Sequence, residues 1–209
     1  MSMKEVVPER VGKREKIEWT DMWWDDPEKE GRRVLLVGDS ITRGYYKALK
    51  KRMPEDIYLD RYVTSKALDN PLFIKELSYV LSQAKYEVIH FNNGLHGSLD
   101  TELFKELYEE IIKFLLKTEN SPKIIVSGTT PVVVVDNPKE YIPFNKQSIE
   151  RDKVAAEIAA KYNLLYENLY SVVDGLEGIR AQDSYHFNDK GCELLADKVY
   201  ENLKDTIIF

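Results

Sequence analysis

Three side chains of this 209-residue sequence have the types and order needed for nucleophilic acyl transfer. Ser40 follows the short apolar run Val34-Leu35-Leu36-Val37 and the turn-forming pair Gly38-Asp39, which places a hydroxyl at the tip of a buried strand. Far downstream, Asp183-Ser184-Tyr185-His186 offers a carboxylate and an imidazole three residues apart. A serine hydroxyl is a weak nucleophile until a base takes its proton, and an imidazole is a good base once its other nitrogen is held by an acceptor. Each feature also has a plainer reading. Ser40 suits a helix N-cap, and Asp183 with His186 suits a surface pair beside a cap.

The elements that must bring these groups together alternate along the chain. Apolar, β-rich runs predict strands over Arg33–Val37, Ile57–Tyr62, Val88–Phe91, Lys123–Ser127 and Leu164–Glu167. Helical patterns predict helices over Thr42–Lys51, Pro71–Leu81, Thr101–Lys117, Asn145–Tyr162 and Asn188–Leu203, with spacings such as Leu103, Leu107, Ile111 and Leu115. Strand followed by helix, repeated five times, predicts a three-layer α/β/α, doubly wound parallel sheet of flavodoxin-like type. Such sheets place their sites at the carboxyl ends of the strands. Ser40, Asn92, Asn93 and Thr129 all follow separate strands.

The early block Gly38-Asp39-Ser40-Ile41-Thr42 with Gly44, followed late by Asp183-Ser184-Tyr185-His186, resembles the SGNH hydrolases, the GDSL esterase/lipase superfamily. The resemblance covers almost the whole chain after residue 32. It implies the SGNH hydrolase fold, no cofactor, and a small-molecule ester as substrate. It further implies Ser40 as nucleophile, His186 as general base and Asp183 as the group that orients the imidazole. The two middle blocks depart from the family pattern. Where the family has a glycine after the second strand, this chain reads Arg61-Tyr62-Val63-Thr64-Ser65-Lys66, and Ser65 stands in as a backbone donor. Where the family has Gly-x-Asn-Asp, it reads Phe91-Asn92-Asn93-Gly94-Leu95-His96. The expected oxyanion hole is therefore Ser40 N–H, Ser65 N–H and the Asn93 side chain. Asn92, His96 and Thr129 are further candidates for contact with the oxyanion or substrate, with Thr130 beside them, and His90 is expected in the core. Val135 to Phe144, with Pro138 and Pro143, reads as an irregular, substrate-facing rim, and Asn145 as the cap of the following helix.

Bulk properties narrow the classes. A net charge of −6 leaves no basic stripe for nucleic acid. A single cysteine, Cys192, cannot pair within the chain. The three histidines lack metal-site spacing, so no metal is expected. No apolar run nears the roughly 18 residues that would span a bilayer, and the charged first ten residues do not read as a signal peptide, so the cytoplasm is the default location. Residues 1–32 form a tryptophan-rich extension with Trp19, Trp23 and Trp24, and residues 33–209 form the hydrolase domain. The tryptophans suit packing on the domain, a cleft wall or a second subunit. A short acyl ester of a carbohydrate is the first substrate expectation, and a lysophospholipid or other lipid ester the second. A non-catalytic carbohydrate-binding domain and a phosphate-binding flavodoxin-like module are the competing classes. The oligomeric state is not legible.

Overall fold

A computed structural model describes residues 16–207. Expectations for residues 1–15 lie outside the described residues. The central sheet has the order β1-β3-β2-β4-β5-β8. Its five parallel strands are β2 (Arg32–Gly38), β3 (Ile57–Thr64), β4 (Val88–Phe91), β5 (Lys123–Ser127) and β8 (Leu165–Glu167). Counted among themselves these strands run 2-1-3-4-5, the flavodoxin-like order, with the switch point between β2 and β4.

β2 shows why this sequence makes such a sheet. Val34, Leu35, Leu36 and Val37 are all fully buried, because both faces of the strand are covered. Alternate side chains leave a strand on opposite faces. Leu35 and Val37 therefore join Ile89, Phe91 and Val126 in one core, closed by α2 (Pro71–Leu81), α3 (Thr101–Leu116) and α4 (Phe144–Lys161). Val34 and Leu36 join Val88 and Ile125 in the other, closed by α1 (Ser40–Lys50), α5 (Leu169–Val173) and α6 (Asp189–Thr206). Each such aliphatic side chain contributes about 1.5–3 kcal/mol by leaving water, so the two faces set the strand register independently.

Side-chain caps start most helices. Asp39, Asn70, Asp100, Asn168 and Asn188 accept from backbone N–H groups at the starts of α1, α2, α3, α5 and α6. α4 differs from expectation. Its cap is Pro143, with no side-chain hydrogen bond, and Asn145 lies inside the helix. Asn145 is buried, accepting from Val132 N–H at 2.8 Å and donating to the Tyr170 hydroxyl at 2.9 Å, so a tertiary tie has displaced the local cap. The expected irregular rim contains a small hairpin, β6 (Val133–Val134) with β7 (Asn137–Tyr141), turned at Asp136 with φ +66°.

The described part of the extension is integrated with the sheet. β1 (Thr20–Trp23) is the edge strand and lies antiparallel beside β3, pairing Thr20 with Thr64 and Trp23 with Arg61. Behind it, the buried Arg33 guanidinium donates to Asp60 at 2.9 Å and to the carbonyls of Asp25, Asp26 and Lys29. The tryptophans divide their roles. Trp19 lies 4.5 Å from the Arg43 guanidinium, Trp24 packs edge-on to Tyr79, and Trp23 is half exposed.

Candidate active site

Ser40 is the first residue of α1, directly after β2, at the switch point of the sheet. The turn that presents it is built locally. Asp39 Oδ1 accepts from Ile41 N–H at 2.8 Å, so Asp39, not Ser40, is the cap. A Cβ at Gly38 would lie 2.1 Å from Thr42 Oγ1, so only glycine permits the turn. Gly44 faces α6, where an added Cβ would lie 3.4 Å from Cys192 Sγ.

The Asp183–His186 loop meets Ser40 from the other side of the chain. His186 Nε2 lies 2.8 Å from Ser40 Oγ, and His186 Nδ1 lies 2.8 Å from Asp183 Oδ2. Asp183 Oδ1 accepts from the N–H groups of Tyr185 and His186 at 2.8 and 2.7 Å, which closes the loop on its own carboxylate. Burial pushes the Asp183 carboxyl up, but the His186 and Tyr185 N–H groups and the imidazole outweigh it and hold it below the usual value. Arg180 braces the loop, donating to the carbonyls of Tyr185 and Pro131 and lying 4.2 Å from the Phe187 ring. Burial pulls its guanidinium down to about 10, which leaves it charged near neutrality.

Ser40 and His186 open on a cleft of about 430 Å³ whose walls include Lys16, Leu95, His96, Phe144 and Tyr185. Gly97 and Ser98 are shared with a second cavity of about 460 Å³ bordered by Glu18, Lys66, Asp69 and Asn70.

The remaining expected residues take different places. Ser65 borders the second cavity; its N–H donates to the Trp19 carbonyl at 3.1 Å and its Oγ accepts from Trp19 N–H at 2.9 Å. Continued pairing of β3 with the extension thus occupies the N–H expected in the oxyanion hole. Asn92 is buried and donates to the carbonyls of Ser127 and Gly128 at 3.0 and 2.7 Å, tying β4 to β5 instead of facing the cleft. Asn93 is buried and directs one amide hydrogen to the Lys66 carbonyl at 3.1 Å, tying the loops after β3 and β4. Thr129 lies below the cleft: its N–H donates to Asp152, and a Cβ on Gly94 would meet its own Cβ at 2.8 Å. Thr130 is likewise buried, its carbonyl accepting from Ser148. Of these candidates, His96 is the one on the cleft wall. His90 is fully buried, its Nε2 lying 2.6 Å from Glu167.

Phe144, at the end of the expected substrate-facing rim, does line the cleft, whereas the sequence reading assigns no cleft role to Tyr185 or to Arg151 beneath the loop after β4. Arg151 had a signal. It falls on the stripe Ser148, Arg151, Val154, Ala155, Ile158, a helical face that is otherwise uncharged and buried. Among the described residues no group of three or more His, Cys, Asp or Glu is arranged to hold a metal ion, and no helix is long and apolar enough to cross a membrane.

No family model and no curated protein matches this sequence. Solved structures do match it. A protein from Parabacteroides merdae described as a GDSL-like lipase is 16% identical, with a TM-score of 0.67 over 86% of this chain and 98% of its own. A carbohydrate acetylesterase from Sinorhizobium meliloti is 12% identical, with a TM-score of 0.69 over 84% of this chain and 100% of its own. The aryl esterase of M. smegmatis is 14% identical, with a TM-score of 0.70 over 85% of this chain and 100% of its own. At these identities the likeness is one of fold, and the mostly parallel sheet with helices on both faces is what they share. The chain has the SGNH hydrolase fold, that of the superfamily its Gly38-Asp39-Ser40 and Asp183–His186 blocks resemble.

Proposed function

We propose that the protein is a serine esterase that works through a covalent acyl-enzyme. The observation that carries this reading is the unbroken relay from Ser40 Oγ to His186 to Asp183, with both contacts at 2.8 Å. An Nδ1–H held by Asp183 leaves Nε2 as the acceptor for the serine proton. Ser40 Oγ attacks the ester carbonyl carbon as its proton moves to His186. The resulting oxyanion lies near the start of α1, where the Ser40 N–H and the helix dipole favour negative charge. His186 then protonates the departing alcohol. A water, deprotonated by the same imidazole, attacks the acyl-Ser40 ester; the acyl–Oγ bond breaks, the acid leaves, and His186 returns the proton to Ser40 Oγ.

For the substrate we favour a short acyl ester of a carbohydrate. Phe144 and Tyr185 are aromatic residues lining the cleft, and Glu18, Asp69 and Asn70 bring polar groups to the adjoining cavity. The Sinorhizobium neighbour is a carbohydrate acetylesterase, and another, 18% identical, is an acetyl xylan esterase.

The test is covalent labelling by a fluorophosphonate, read by intact mass on wild type, Ser40→Ala and His186→Ala. Labelling that needs both residues is expected, followed by acetate release from acetylated sugars. A folded wild-type protein that does not label would favour the binding-domain reading. Labelling accompanied by hydrolysis of lysophospholipids alone would move the substrate to the lipid class.

A further inference from the structure

The segment that carries Asp183 and His186 is a short ribbon whose two sides pair at its base. Arg180 and Phe187 form an antiparallel bridge, Ala181 N–H donates to His186 O at 3.1 Å, and Asn188 N–H donates to Ile179 O at 3.0 Å. The peptide that joins Tyr185 to His186 lies beyond that pairing, and side chains hold both of its polar groups. Its N–H, that of His186, donates to Asp183 Oδ1 at 2.7 Å. Its carbonyl, that of Tyr185, accepts from Arg180 Nη1 at 3.3 Å.

The carbonyl and N–H of a trans peptide point in opposite directions, so this peptide is gripped from both sides. The other end of the guanidinium reaches a separate element. Arg180 Nη2 donates to Pro131 O at 3.0 Å, and Val133 N–H donates to Ser184 O at 3.1 Å. Two bonds therefore seat the ribbon on residues 131–133, just beyond the end of β5. The Phe187 ring lies 4.2 Å from the guanidinium, and the charges of Asp174 and Asp183 favour its protonated form.

We propose that Arg180 is a positioning residue for the general base: it holds the Tyr185–His186 peptide against Asp183, so that the imidazole stays aimed at Ser40. One carboxylate grips His186 twice, since Asp183 Oδ1 takes the backbone N–H and Oδ2 lies 2.8 Å from Nδ1. A peptide that turns away from Arg180 carries the His186 backbone with it and draws Nε2 from its 2.8 Å contact with Ser40 Oγ. Hydrogen bonds in a chain strengthen one another, so a guanidinium on the carbonyl also makes the His186 N–H a better donor to Asp183. A displacement of about 1 Å between reacting groups can cost about 100-fold in rate. The role rests on the esterase reading, since it concerns the base that activates Ser40.

Two measurements decide it. In the first, Arg180→Lys keeps the charge but cannot hold two carbonyls with one planar fork. We expect kcat and the rate of fluorophosphonate labelling to fall about 10- to 100-fold, with KM little changed. The low-field proton resonance of His186 Nδ1–H should weaken or move upfield, read at a temperature where the variant is folded. Asn202→Ala removes a hydrogen bond from α6 to Glu167 and is expected to lower Tm while leaving labelling and the resonance unchanged. A folded Arg180→Lys with wild-type labelling and resonance overturns the role, as does an Asn202→Ala that loses as much labelling for the same fall in Tm. The second measurement needs no variant and decides the matter if Arg180→Lys does not fold. In the wild-type protein the Arg180 Nη protons should exchange slowly and show NMR couplings to the Tyr185 and Pro131 carbonyl carbons; exchange as fast as that of a surface arginine overturns the role. A wild-type protein that does not label at Ser40 removes the esterase reading and this role together; one that labels no faster than Arg180→Lys removes the role alone.

Discussion

The loop after β2 and the loop after β4 lie side by side at the switch point, yet they are held in opposite ways. The first is self-contained: Asp39 caps Ile41, and Gly38 makes room for Thr42, all within five residues. The second is held from a distance, through Lys66, Ser127, Gly128 and Arg151, each at least 27 residues away. A serine that a local turn presents is insulated from changes elsewhere in the fold. A loop held by long-range bonds depends on the packing of α4 and β5, so its role cannot be inferred from its own residues.

If that contrast is right, the largest losses come from the locally built relay. Ser40→Ala should cost about 10⁴-fold or more in kcat and leave Tm near wild type, because the hydroxyl is not the helix cap; activity and a melting curve on the same preparation check both. Asp183→Asn should cost about 10³- to 10⁴-fold in kcat by releasing the imidazole tautomer. Fluorophosphonate labelling should slow with it.

In the loops after β3 and β4 the effects are smaller and of another kind. Asn92→Ala should cost about 1–3 kcal/mol of stability, since two buried carbonyls lose their donor. Urea unfolding measures it, and a large fall in kcat without loss of stability would instead put Asn92 in the chemistry. His96→Ala should raise KM about tenfold, or ~1.4 kcal/mol, with less effect on kcat, because His96 borders the cleft. Ser65→Ala should leave kcat unchanged, as its N–H pairs with Trp19 either way.

The smallest effect concerns pH. The Asp183 carboxyl is held below its ordinary value of 3.8, so the folded state binds that proton less readily than the unfolded chain. Its contribution is complete above pH 3.8 and disappears as the pH falls through the lower, folded value. Asp183→Asn should therefore flatten the acid limb of the stability curve, read from urea midpoints between about pH 2 and 5.

Much of the fold could be read along the chain. Val88–Phe91, Lys123–Ser127 and Pro71–Leu81 have the predicted bounds, because continuous apolar runs mark strands covered on both faces and Pro71 after Asn70 marks a helix start. Local chemistry failed where a tertiary partner competed for the same group. Asn145 has the composition of a cap but bonds to Val132 and Tyr170. Ser65 has an N–H like any other residue until β1 pairs beside it. β1 itself left no pattern, since an edge strand of four residues is defined by the strand it joins.

The sequence by itself determined the layered sheet, the turn at Gly38-Asp39 and the order of Ser40, Asp183 and His186, because apolar periodicity and short-range hydrogen bonds act between near neighbours in the chain. Only the tertiary structure decided that His186 meets Ser40 across 146 residues, and that Arg151, Trp19 and Lys66 dispose of the polar groups around them. A buried donor must find some acceptor, and which one it finds depends on what the completed fold places within about 3 Å.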